Sequence, residues 1–247
     1  MKNLALLLPV LLSVTGSLLA EPISLFDGKT LDGWNGNEKI WRVEDGAITG
    51  GTTTGKVATN YFVSIEKSYQ NFELKLKIKC SGDPKTGLIN SGIQIRSHRV
   101  PKGESVSGYQ IDCGDGWFGK IYDEHRRGKV IAMPVDEEAL KKAVDTFGWN
   151  EYRIRAEGPR IQVWINDVLA TDYTEENPNI ALDGIIAPQV HKGGNALVQF
   201  KDVTIEELPP TPDAPTWESL GGLNKALKLV RPAPKKRKKA PAPAPSK

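Results

Sequence analysis

The chain has 247 residues, with 33 Lys or Arg against 30 Asp or Glu and a formal charge of +3. Such a length predicts one or two domains, and two cysteines supply no cysteine-based metal motif. A phosphate loop, a dinucleotide fingerprint and a nucleophile elbow are all absent, which removes those function classes.

At the start, Lys2 precedes the apolar run LALLLPVLLSV, which gives way to small residues ending at Ala20. This is the pattern of a secretory leader cut after Ala20, not of a membrane span. It predicts a periplasmic or secreted protein. No Cys follows the run, so nothing there points to a lipid anchor.

Strand signals then recur along the chain, at AITGG and TNYFVSI and most clearly over residues 72–80. There Phe72, Leu74, Leu76, Ile78 and Cys80 alternate with Glu73, Lys75, Lys77 and Lys79, giving one buried and one wet face. NSGIQIRS and SGYQIDCG follow with the same period. Ile93 and Ile95 share one face with Gln94 and Arg96 opposite, while Tyr109, Ile111 and Cys113 are opposed by Gln110 and Asp112. A guanidinium, a carboxylate and two amides on one sheet face read either as a polar binding surface or as an ordinary wet face.

GWFGKIYDEHRR comes next, and then PVDEEALKKAVD reads as a helix, with Asp136 as N-cap and Ala139, Leu140 and Val144 at helical spacing. EYRIRAEG and RIQVWIND, joined at Gly158-Pro159, read as a hairpin. GIIAPQVH and ALVQFKDVTIEEL complete the strands. Asp45-Gly46 and Asn166-Asp167 carry turn chemistry. Short strands punctuated by Gly, Pro and Asn predict an all-β, antiparallel sandwich over residues 21–208 with one short helix.

Cys80 and Cys113 both fall on core-facing sides. An oxidising compartment permits a disulfide between them, and two buried thiols would serve equally well as small apolar residues.

From Pro209 to Lys247 the composition turns to Pro, Ala and Lys, which cannot bury enough apolar surface to offset the entropy of ordering. This predicts a disordered basic tail with one amphipathic patch around Leu220 to Val230. Nine basic residues against Asp213 and Glu218 give the tail +7. With Lys2 also set aside, residues 21–208 carry −5, so the basic balance belongs to the tail. Its KKRKK run would suit nucleic acid, but the leader argues against that partner. In an exported protein the run would touch anionic envelope polymers or lipid headgroups, or stay solvated.

Taken together, SLFDGKTLDGW, WRVEDGAITGG, NYFVSIEKSYQNFELKLKIK, NSGIQIRS, SGYQIDCG, FGKIYDEHRR, WNEYRIRAEGPRIQVWINDVLATDYTE, GIIAPQVH and FKDVTIEELP resemble the 3-keto-disaccharide hydrolase family, over about residues 23 to 209. The resemblance implies a concanavalin A-like jelly roll of two antiparallel sheets with a carbohydrate site on a concave face. It also implies cleavage of glycosides bearing a ketone at C3, in partnership with an oxidoreductase that installs the ketone. The chain departs from the common pattern at two places. Gln110 stands where an acid is frequent and Asp112 where an amide is frequent, and Pro188-Gln189-Val190-His191 lacks the acid usually found between its amide and imidazole. YDEHRR resembles one branch of the family.

A ketone at C3 acidifies the hydrogen on C2, so a base can remove it and the enolate can expel the C1 substituent, after which water adds. Such a site needs a base, a partner for the enolate oxygen and an acid for the leaving group. His191 suits the base, since imidazole titrates near neutrality. Arg96 is the candidate oxyanion partner, with Asp112 or Glu124 as acid, base or ion ligand. Gln94, Gln110, Tyr122 and Gln189 would bind hydroxyls, and Trp117 or Trp149 would stack on a sugar face. Asp112, Glu124 and His191 are also the residues that would hold a divalent cation, if one binds.

Each assignment has a plainer counterpart. His191 could cap an exposed loop, Arg96 and Asp112 could form a structural ion pair, Glu124 could neutralise the basic turn beside it, and Trp41, Trp149 and Trp164 could simply pack. The acidic EXDXXE strand motif of glucanases with this fold is absent. Three functions therefore stand: an exported enzyme cleaving 3-keto-glycosides, a noncatalytic carbohydrate-binding domain, and an envelope scaffold tethered by its tail.

Overall fold

The computed structural model describes residues 21–101 and 104–222. Residues 1–20, where a leader is expected, and the expected basic tail beyond Gly222 lie outside these described residues. Sixteen strands, numbered in chain order, form two antiparallel sheets of eight. The first runs β14 (Val168–Thr174), β13 (Arg160–Ile165), β12 (Asn150–Glu157), β7 (Phe72–Gly82), β16 (Ala196–Glu207), β4 (Ala47–Gly51), β3 (Trp41–Glu44), with β1 (Ile23–Ser24) also on β16. The second runs β11 (Val130–Ala132), β10 (Ile121–Glu124), β9 (Val106–Cys113), β8 (Ser91–Arg99), β15 (Gly184–Val190), β6 (Ser64–Tyr69), β2 (Trp34–Asn35), with β5 (Tyr61–Phe62) also on β15.

Both sheets turn apolar faces inward. Leu74, Leu76 and Ile78 of β7, Tyr152 and Ile154 of β12, and Phe200 of β16 meet Ile93 and Ile95 of β8 and Tyr109, Ile111 and Cys113 of β9. Each such side chain contributes about 1.5–3 kcal/mol by leaving water. The first sheet shows the expected alternation, with β7 and β12 buried at every second residue and charged on the outer side. The hairpin of β12 and β13 pairs Glu157 with Arg160 around Gly158-Pro159. At Asp45-Gly46 and Asn166-Asp167 both residues have positive φ, as two-residue hairpin turns require.

The helix α1 spans Glu137–Ala143, and the Asp136 side chain accepts from Ala139 N at 2.9 Å, so the expected cap is in place. Cys80 and Cys113 are buried free thiols, the packing alternative of the two that the sequence left open.

Two expectations are corrected. The polar face of β8 and β9 is not a wet surface: Gln94, Gln110 and Asp112 are each at most 3% exposed, because these amide and carboxyl groups pack on one another. Order also continues past Leu208. Thr211 N donates to Gln70 Oε1, Leu182 N donates to Pro215 O, and Trp217 stacks on His98 at 4.0 Å. Composition misjudged residues 209–222 because a few hydrogen bonds and one ring stack hold a Pro-rich strap to the domain without a core of its own.

Candidate functional site

A β-bulge decides which residues of β8 reach the site. The register with β9 shifts between Ile95 and His98, and Arg96 adopts φ +45°. The extra residue turns Arg96 off the face that Gln94 occupies and into the interior. There its guanidinium donates to Gln70 O and Gly158 O, both at 2.7 Å, and to Asn71 Oδ1 at 3.1 Å. Arg96 is fully buried, and burial pulls its pKa down to about 10. It neither enters the cleft nor pairs with Asp112. It ties the second sheet to the β12–β13 turn of the first and to the link between β6 and β7 that joins the two sheets.

With Arg96 removed, Ser97 takes the adjacent place on the polar face. Its Oγ shares its one hydrogen between Gln94 Oε1 at 2.8 Å and Ile95 O at 2.9 Å, Gln94 Nε2 donates to Gln110 Oε1 at 2.9 Å, and Gln110 Nε2 donates to Asp112 Oδ1 at 2.7 Å. Every link runs in one direction, so each bond polarises the next. The relay ends on Asp112, whose Oδ2 has no protein partner. Burial is the main cause that pushes this carboxyl up to about 8, and Glu124 adds to it.

Beside this relay, Asn60, Asn90, Gln110, Asp112, Trp117, Tyr122, Glu124, His191 and Lys192 line a cleft of about 230 Å³. Tyr122 lies opposite Gln110, and Glu124 opposite Gly108, in the pairing of β9 with β10. Burial raises the Glu124 carboxyl to about 7, against the lowering effect of Lys192. His191 follows the end of β15. Its Nδ1 lies 2.8 Å from Lys192 O. A carbonyl can only accept, so Nδ1 carries the hydrogen and Nε2 presents its lone pair. Burial holds this imidazole below its ordinary pKa.

The segment YDEHRR resolves into two functions by strand alternation. Tyr122 and Glu124 face the cleft, whereas Asp123 is fully buried on the other side. Asp123 Oδ1 accepts from Arg126 Nε at 2.6 Å and Oδ2 from Arg127 N at 3.1 Å. Arg127 also reaches Glu175, which accepts from Tyr109 OH at 2.8 Å. The basic turn is thus neutralised by Asp123 and Glu175. Glu124 is left to the cleft, with His125 Nε2 3.3 Å away.

Of the sequence candidates, the structure brings Asp112, Glu124, His191, Gln110, Tyr122 and Trp117 to one cleft. Gln94 stands behind Gln110 in the relay. Gln189 does not line the cleft: it is fully buried, with both side-chain polar atoms unpartnered. Trp149 is elsewhere: Lys201 and Lys79 of the first sheet approach its ring at 4.3 and 6.0 Å. Asn60, Asn90 and Lys192 were missed. Only adjacency to His191 could have flagged Lys192, and nothing local marks the two asparagines. Among the described residues no three His, Cys, Asp or Glu side chains are arranged to hold a metal ion. Asp112, Glu124 and His191 therefore share a cleft without forming a preassembled cation cage.

A larger groove, about 430 Å³, lies on the outer face of the first sheet. Two of its acids, Glu151 and Asp202, pair with Lys77, and Arg153 covers Trp164 at 3.5 Å. No helix among the described residues is long and apolar enough to cross a membrane.

Comparison with known proteins adds a family and a fold. Residues 21–206 match the model of the 3-keto-alpha-glucoside-1,2-lyase-like domain. A solved structure from Parabacteroides distasonis, described as a candidate glycosyl hydrolase, aligns at 23% identity and TM-score 0.56, covering 76% of this chain and 94% of that one. The carbohydrate-binding module CBM66 from Bacillus subtilis aligns at 19% identity and TM-score 0.51, covering 71% and 96%. A Bacillus subtilis protein of unknown function with a galectin-like fold aligns at 8% identity and TM-score 0.53, covering 73% and 92%. At these identities the likeness is one of fold, a jelly-roll sandwich. No curated protein matches the chain.

Proposed function

This chain belongs to the 3-keto-alpha-glucoside-1,2-lyase-like family, and from that premise we propose that it cleaves 3-keto-glycosides in the cleft beneath His191. The observation that carries this reading is the meeting of an imidazole and two carboxyl groups from three separate strands and strand ends around one small polar cavity. About 230 Å³ is below the range of drug-sized sites and suits a single sugar ring.

In this reading His191 Nε2 removes the hydrogen on C2, which the neighbouring ketone acidifies. The electron pair moves toward the C3 oxygen, then returns to form the C1–C2 double bond as the C1–O bond breaks. The leaving oxygen takes a proton from an acid. Asp112 fits that role because Oδ1 accepts the Gln110 hydrogen, which leaves Oδ2 to carry the proton, and burial keeps it protonated at neutral pH. Glu124, held near 7, is the group that can serve water in the later hydration. Gln110, Tyr122 and Asn90 present polar groups to hydroxyls, with Trp117 as an apolar wall.

The reading extends to location and partners. The composition of residues 1–20 supports export to the periplasm or beyond. The substrate requires a separate oxidoreductase acting at C3. Incubating the protein with 3-keto-glucosides, and identifying products by NMR, tests the proposal. A 2-hydroxy-3-keto-glycal marks elimination, and free 3-keto-glucose marks completed hydrolysis. Binding without any product, unchanged by His191→Ala, would instead identify a carbohydrate-binding domain.

A further inference from the structure

We propose that Lys192 is the catalytic cation of the cleft, its ammonium meeting the C3 oxygen of the sugar as negative charge builds there. The inference rests on the 3-keto-glycoside reading and deepens it. Loss of the C2 proton sends an electron pair onto the C3 oxygen, and a fixed positive charge at that oxygen is worth most in a partly desolvated site. Arg96 cannot supply it, since each of its three guanidinium nitrogens donates to Gln70, Gly158 or Asn71 inside the sandwich. Lys120 is directed to the ring of Trp117, at 5.2 Å. Among the described residues lining the cleft, Lys192 carries the sole Lys or Arg charge.

The backbone that carries this charge is held in place, while the side chain itself is exposed. The backbone of Lys192 is clamped on both sides, with N donating to Asn60 Oδ1 at 2.9 Å and O held by His191 Nδ1 at 2.8 Å. Strand β15 ends at Val190 and Gly193 takes φ +75°, so the chain turns there and Lys192 and His191, adjacent in sequence, both line the cleft. The Lys192 charge is felt by Glu124, on β10, and by His191, beyond β15. All three side chains line the same cleft. The clamp also couples base to cation: the bond that fixes the His191 tautomer is made to the carbonyl of the residue carrying the charge. In the balanced step, His191 takes the proton and Lys192 stays protonated throughout. The pair on the C3 oxygen returns to the ring as the C1–O bond breaks.

The test compares wild type, Lys192→Met, Lys192→Arg and Lys192→Cys on a 3-keto-glucoside. Since the charge acts chiefly on the transition state, Lys192→Met should lose about a hundredfold or more in kcat with little change in KM. Lys192→Arg should retain part of the rate. Cys80 and Cys113 are buried, so alkylating the Cys variant with 2-bromoethylamine modifies the new thiol and restores an ammonium at nearly the same reach. Recovery of kcat on that treatment supports the proposal. Wild-type kcat in Lys192→Met, or no recovery after complete alkylation, overturns the role of Lys192 while leaving the parent reading in place. Absence of turnover by wild type brings down both. The side chain is exposed, so unchanged thermal unfolding of the variants is expected and is recorded alongside.

Discussion

Gln110 donates to Asp112 Oδ1 at 2.7 Å from two residues away on the same strand face, and this one bond decides which carboxyl oxygen can act. These are two of the positions at which the resemblance has the chain depart from the common family pattern. The departure is an exchange of amide and acid within a relay that starts at Ser97, so the strand still presents one amide and one carboxyl to the cleft.

On the proposed function, Asp112 should make activity and stability depend on pH in linked ways. The folded protein holds this proton up to about pH 8, while an unfolded Asp releases it at about 3.9. Between those values the folded state binds more protons, so stability falls as pH rises through the window. Asp112→Asn removes that dependence, and its melting temperature should gain on wild type more at pH 9 than at pH 5. The same substitution should lower kcat by about 10²–10⁴-fold, since the acid is lost. In wild type, kcat/KM should decline on the alkaline side from about pH 8. A melting difference that is the same at both pH values would contradict the raised carboxyl.

Arg96 should behave as a structural residue. Arg96→Met leaves Gln70 O and the Asn71 amide without a charged donor in a closed interior and should cost about 3 kcal/mol or more, read by urea unfolding. The folded fraction should keep the KM of wild type. A rise in KM without loss of stability would return Arg96 to the site.

Gly108 lies where the relay and the cleft wall meet. A methyl group there would sit 1.9 Å from Ser97 Oγ and opposite Glu124 on the paired strand. Gly108→Ala should therefore displace Ser97, break the first link to Gln94 and lower kcat/KM. Ser97→Ala, which removes the same hydroxyl, should lower kcat/KM to a similar degree, and wild-type kcat/KM in that variant would show that the link does not matter.

The strap should matter more than the residues after it. Truncation after Leu208 removes the Trp217 stack on His98 and the bonds to Gln70, Asn71 and Asp183. It should lower the melting temperature by several degrees, whereas truncation after Gly222 should change it little. Equal melting of the two forms would show that the strap contributes nothing.

The sequence by itself determined the antiparallel, two-faced strands of the sandwich, since period-two alternation in β7, β12 and β13 puts Leu74, Ile154 and Val163 on a face that must be covered. It also determined the helix cap at Asp136 and the hairpin turns at Asp45 and Asn166, because those depend on neighbours within a few residues. Alternation placed Gln94, Gln110 and Asp112 on a common face correctly. The same rule failed for Arg96 one step later, because a bulge is set by pairing with β9 and β15 and leaves no mark in the local pattern. Only the tertiary structure decided that Asp123 and Glu175 would take Arg126 and Arg127 and leave Glu124 to the cleft. Only it brought Lys192, Asn60 and Asn90 to the same cavity. Those choices depend on which strands lie side by side, a long-range consequence of burying the core that short-range spacing does not encode.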